Sequence, residues 1–131
     1  MSEMRDVLYN PPEGSLPILL AGLDAYGPFY RIAPAGSVNG YGFIAAQKHL
    51  DAGENVARAV LAGFVQSAME AACGGETISL NYEFLGNARA GERIEAHVET
   101  VRHTRSLAFL GSRVTADGRA VLTADGLIAR A

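Results

Sequence analysis

A chain of 131 residues that is 49% hydrophobic has the length for one domain with one core and is too apolar for a disordered segment. A net charge of −3 offers no general attraction to nucleic-acid phosphates, and the apolar runs fall short of the ~20 residues a membrane helix needs. The single cysteine, Cys73, excludes an internal disulfide and fits a reducing cytoplasm, while Glu3 and Asp6 stand where a secretory leader would be basic.

Residues 1–13 are polar, carry Pro11-Pro12 and are expected to form a loose leader. Leu16 to Leu23 is expected to be a short apolar helix, with Ser15 as N-cap and Pro17 in its first turn, ended by Tyr26-Gly27-Pro28. Strands are expected near Phe29–Ala33 and Tyr41–Gln47, joined by a turn through Gly36, Asn39 and Gly40. A helix is expected from Asn55, as N-cap, to about Cys73. Val56, Val60, Leu61, Phe64, Val65, Ala68, Met69 and Ala72 cover most of its circumference, which predicts burial nearly all round. Gly74-Gly75 stops it, and Cys73 is expected to be a small buried filler.

The rest reads as β-structure. Ile78, Leu80, Tyr82 and Phe84 alternate with polar residues, the period of a half-buried strand. Strands from Arg93 to about Val101, Ser106 to Thr115 and Ala120 to Arg130 follow, the last two joined by the hairpin signal Asp117-Gly118. A helix followed by a four-strand antiparallel meander implies an α+β domain in which a curved sheet wraps the helix. Long edge strands imply pairing with a second copy.

Several fragments resemble the PaaI-like hotdog acyl-CoA thioesterases. Arg102-His103-Thr104-Arg105-Ser106-Leu107-Ala108-Phe109 is similar to the family's R-x-G-R-S-L-A-F, and Phe84 to Glu92 is similar to F-L-x-P-A-R-x-G-D/E. Asp117-Gly118 and Ala124-Asp125-Gly126 match D-G and A-x-G, in the same order and spacing. The resemblance implies a single hotdog domain acting on small acyl-CoA thioesters without a cofactor. It also implies a homodimer, or a tetramer of two dimers.

The family's chemistry rests on N-x-x-G-x-x-H-G-G with an acid nine positions after the histidine. Its glycines bare a helix N-terminus for a thioester oxygen, and the carboxylate serves as nucleophile or general base. Here Asp51 takes the asparagine's place, Gly53 comes one residue early, and the histidine and glycines are Ala57, Arg58 and Ala59. Gln66 stands where the acid belongs.

The catalytic candidates are therefore Gln66, Asp51 and Glu70, the last lying one turn beyond Gln66. An amide neither takes a proton nor attacks, so Gln66 reads either as a ligand contact or as a polar residue tied off at a dimer interface. Glu70 reads as a substitute carboxylate or as a solvated glutamate. The binding candidates are Arg58, Asn55, Thr77 and Arg105. Arg58 opposes the helix dipole by roughly 0.3–1 kcal/mol, which a ligand anion, Asp51 or Glu54 would offset. Thr77 falls where some relatives place a hydroxyl. Arg105 belongs to a basic group with Arg102, His103, Arg113 and Arg119, suited to coenzyme A phosphates. His49 reads as a surface histidine, and His49, His97 and His103 share no metal-ligand spacing. Two functions follow: hydrolysis of acyl-CoA through a rearranged site, or binding of an acyl or CoA-like ligand without cleavage.

Overall fold

The computed structural model describes residues 12, 14–36 and 38–130; the leader expected over residues 1–13 lies, Pro12 apart, outside them. In chain order the elements are β1 (Ser15–Ile18), β2 (Phe29–Ala35), β3 (Val38–Ile44), α1 (Arg58–Cys73), β4 (Gly75–Phe84), β5 (Arg93–His103), β6 (Leu107–Ala116) and β7 (Arg119–Arg130). One antiparallel sheet holds the strands in the order β1-β2-β3-β5-β6-β7-β4 and curves around α1.

The expected helix at Leu16–Leu23 is not formed. Ser15–Ile18 instead pairs with β2, with Leu16 opposite Arg31 and Ile18 opposite Phe29. Eight residues are too few to hold a helix alone, whereas β2 offers an open edge. Pro17 is tolerated because β1 is itself the outer strand and needs no donor on its free side. A turn closed by Leu23 N–H to the Leu20 carbonyl and a 3-10 turn at Asp24–Tyr26 lead into β2.

The expected meander is corrected too. β4 pairs with β7, Leu80 opposite Gly126, while β3 takes the place beside β5. β4 thus becomes the other edge. A register shift between Thr77 and Ser79 breaks its alternation, leaving Ile78 56% and Tyr82 44% exposed while Leu80 and Phe84 are half-buried.

α1 buries Leu61, Phe64, Val65, Ala68 and Met69 against the inner sheet face. Phe64 stacks on Phe29 with centroids 6.0 Å apart and meets Phe43 edge-on at 4.9 Å. Arg58, Ala59, Gln66 and Ala71 are exposed, so within one chain the helix is buried on one side, not nearly all round as expected. Its C-terminus follows the sequence signal: Gly74 adopts a left-handed φ of 71° and donates to the Glu70 carbonyl at 2.7 Å. The β6–β7 hairpin does likewise, with positive φ at both Asp117 and Gly118.

On the face away from α1, Tyr30 lies across β3 because residue 42 is glycine; a Cβ there would stand 2.4 Å from the tyrosine ring. Its hydroxyl donates to Glu95 at 2.8 Å, and burial, reinforced by that carboxylate, pushes the phenol's pKa up.

Candidate functional site

A short extended loop leads into the helix, which begins two residues later than expected. Val56 N–H donates to Ala88 O and Asn55 pairs with Arg89, so the backbone stays extended until Ala57 and α1 starts at Arg58. Asn55 is therefore not the N-cap; Ala57 holds that position without a side-chain cap. The first-turn N–H groups, at Arg58 and Ala59, have no carbonyl one turn back within the helix and point toward its N-terminal end.

Asp51 organises this loop. Its Oδ1 accepts from Gly53 N–H at 2.9 Å and from Asn55 N–H at 3.2 Å, an Asx-type arrangement. Arg58 is partnered by neither Asp51 nor Glu54. Its guanidinium lies over the Phe84 ring, 4.7 Å from the centroid, a cation–π contact that a linear reading has no means to find.

Further along α1, Gln66 is exposed on the helix surface. Glu70 and Thr77 come together: Glu70 Oε2 accepts from the Thr77 backbone N–H at 2.9 Å and from its hydroxyl at 2.7 Å. Glu70 is thus not a freely solvated glutamate. With Ser67 and Glu76 it borders an open groove of about 450 Å³. Cys73 is half-buried rather than fully buried, and burial raises its thiol pKa.

Arg105 is exposed in the β5–β6 hairpin, at the opposite end of the domain from Arg58. Arg102 lies over Phe109 at 4.8 Å, and Arg130 donates to Thr104 O at 2.8 Å and contacts His103 Nδ1 at 3.1 Å. Arg130 joins this basic end although 25 residues separate it from Arg105, a proximity created only by β7 pairing with β6. Arg119 does not belong to it. It sits beside the other hairpin, where Glu92 holds it at 3.0 Å, and that hydrogen bond from Arg119 keeps the Glu92 carboxyl below its usual range.

His49 corrects the expectation of a surface histidine. It is fully buried, 4.7 Å from the Phe43 ring. Nδ1 accepts from Ala46 N–H at 2.9 Å, so the proton is on Nε2, which donates to Tyr26 O at 2.7 Å. Its own carbonyl receives Ala57 N–H. His49 therefore ties the loop before β2 to the start of α1, its ring reaching Tyr26 and its backbone carbonyl Ala57. Burial lowers its pKa, so the folded protein holds it neutral while the unfolded chain takes up a proton as pH falls below about 6.5. Stability should be fully present above that pH and decline below it, by up to about 1.4 kcal/mol per pH unit. Urea unfolding at pH 7.5 and 5.5 should show this loss shrink in His49→Gln; an equal loss in both proteins would assign it elsewhere.

Among the described residues no three His, Cys, Asp or Glu side chains gather as a metal site would require, and no helix is long and apolar enough to cross a membrane.

Comparison with known proteins fits this architecture. A mutant of the phenylacetic acid degradation protein PaaI from Thermus thermophilus superposes with a TM-score of 0.75 at 21% identity, over 83% of this chain and 97% of that one. The PaaI protein of the phenylacetic acid degradation operon of E. coli gives 0.72 at 13% identity, over 78% and 82%. A hypothetical thioesterase from Streptococcus pneumoniae, solved with coenzyme A, gives 0.72 at 13% identity, over 79% and 88%. Comparison of the sequence with curated proteins gives no match. The profile of the acyl-CoA thioesterase N-terminal domain matches residues 36–129, well over half of the 131-residue chain. By that match the chain belongs to the acyl-CoA thioesterase N-terminal domain family of the thioesterase superfamily, and its α+β hotdog fold is the one the PaaI structures share.

Proposed function

We propose that this protein is a ligand-binding member of its superfamily, a homodimer that holds an acyl-CoA or similar thioester and hydrolyses it slowly. The observation that carries this reading is the state of its carboxylates. Asp51 is engaged by the N–H groups of its own loop and Glu70 by Thr77, while an exposed amide, Gln66, stands where the family has its acid. Arg58 also puts a side chain where the family keeps glycine, beside the helix N-terminus that would receive the thioester oxygen.

The positive hairpin and that N-terminus lie at opposite ends of α1, whose 16 residues span about 24 Å. Antiparallel pairing of two β4 edges would run the two helices in opposite directions, so the N-terminus of one would face the Arg105 end of the other. The exposed Ile78 and Tyr82 on β4 support this arrangement. The relative from Streptococcus pneumoniae was solved with coenzyme A, which supports the ligand class. A cytoplasmic location belongs to the same proposal.

A second reading is favoured by one contact. Glu70 and Thr77 form a carboxylate–hydroxyl pair beside an open groove, a geometry that a displaced hydrolytic site could use.

Calorimetric titration with coenzyme A at two salt concentrations tests the binding reading. Arg105→Ala is expected to weaken affinity by about two- to fivefold and to flatten its salt dependence, as loss of an exposed charge contact should. Equal affinity and an unchanged salt response would remove Arg105 from the site, and sedimentation as a stable monomer at micromolar concentration would overturn the dimer.

A further inference from the structure

The loop between β1 and β2 builds a concavity of its own. Ile18, Leu20, Leu23, Pro28 and Phe29 line a groove of about 330 Å³, with Leu19 and Asp24 also bordering it. It rests on the helix: Phe29 stacks on Phe64, and a Cβ added at Gly63 would lie 3.7 Å from Leu23. Its walls come from residues 17–29, ahead of the family-matched segment 36–129.

Leu19 joins this groove to the one that holds Glu70. It borders both and is 86% exposed, so a large apolar side chain faces water at the point where they meet. The charged side chains that line the two grooves are all of one sign. Asp24 borders the first groove, and Glu70 and Glu76 the second; no lysine or arginine lines either. Lys48 is a nearby cation: its side chain is not in either lining, but it donates to the carbonyl of Gly27, a wall residue of the first groove.

We propose that the apolar groove beneath Leu19 takes the acyl group of the bound thioester, and that this group is neutral and of medium length. The inference rests on the reading of the protein as a thioester binder and names where the acyl part of that ligand sits. A groove of about 330 Å³ stands at the small end of ligand sites, which suits a medium chain or a single ring. Three carboxylates along the path repel coenzyme A phosphates and any acyl group ending in a carboxylate. The nucleotide is left to the basic end at Arg102, Arg105 and Arg130, so charge alone orients the ligand.

The test combines calorimetry with methyl NMR on the full chain. The probes are free coenzyme A, acetyl-, butanoyl-, octanoyl- and succinyl-CoA, and the octanoyl thioester of N-acetylcysteamine, which has the acyl group without the nucleotide. Both octanoyl ligands should shift the methyl signals of Ile18, Leu19, Leu20 and Leu23. Affinity should rise about two- to fourfold per added methylene up to the octanoyl group, and succinyl-CoA should bind more weakly than butanoyl-CoA. Leu19→Glu should weaken octanoyl binding by about tenfold, while Leu19→Met retains it. Octanoyl ligands that bind with those methyls unmoved, or an affinity flat along the series, would overturn the groove and leave the thioester reading standing. Methyl shifts with the N-acetylcysteamine ligand, without binding of any coenzyme A species, would keep the groove and overturn the CoA reading. No heat of binding and no methyl shift with any probe would overturn both.

Discussion

Hydrolysis of ordinary acyl-CoA substrates by the wild-type protein is expected to run roughly 10²–10⁴ more slowly than by the fourfold variant Ala57→His, Arg58→Gly, Ala59→Gly, Gln66→Asp, with thiol release as the measurement. A missing general base alone costs about 10²–10⁴, and an obstructed oxyanion donor about 10²–10³. Such losses do not multiply when residues act as a unit, so either one is enough to set the scale. The structure adds the reason Glu70 does not make good the deficit. It lies one turn beyond Gln66, with one oxygen held by two donors from Thr77, and a misplacement of even ~1 Å costs about 10²-fold. The fourfold variant loses the Arg58–Phe84 contact and gains two glycines in the first helical turn, so its melting curve must accompany the assay. Strong wild-type turnover that disappears in Glu70→Gln and in Thr77→Val would establish the displaced site instead.

Truncating the aromatic centre should have the largest effect on stability. Phe64 is fully buried between Phe29 and Phe43, with ring planes at 8° to the first and 82° to the second. Phe64→Ala removes apolar surface from two sheet strands, and Phe29 and Phe43, already in edge-on contact with each other at 5.6 Å, cannot fill the space without moving β2 and β3 toward α1. The expected loss is about 3–5 kcal/mol, a large share of the roughly 5–15 kcal/mol that holds a domain folded. Thermal unfolding should shift by about 10–20 °C. A loss under about 1 kcal/mol would mean that α1 is held mainly by contacts outside this cluster.

What the sequence disclosed and what it withheld divide along physical lines. The C-terminal strands, their Asp117-Gly118 turn and the stop at Gly74 were legible because each depends on local alternation or on a residue suited to positive φ. Leu16–Leu23 was misread because its apolar content suits a helix or a strand equally, and the open edge of β2 decided between them. The position of β4 beside β7 leaves no trace in either strand's own pattern. At the site, spacing alone revealed that Gln66 stands where an acid belongs. The burial of His49, the stacking of Arg58 on Phe84 and the place of Leu19 between two grooves arise from residues 20 or more apart in the chain or from the course of a loop, so no local pattern announces them.

The pairing of β4 with β7 also sets a timetable for synthesis. Thr77 finds its partner in Ile128 and Phe84 in Leu122, so β4 leaves the ribosome long before the strand that completes it. Until then the apolar side of α1 has only β1–β3, joined later by β5 and β6, to cover it. The β5–β6 and β6–β7 hairpins connect neighbours in sequence and close quickly, but the final assembly waits on the last strand. A growing chain therefore exposes Leu61, Val65 and Met69 together with an unpaired β4 edge while its last three strands are being made, the interval in which a holding chaperone would matter most.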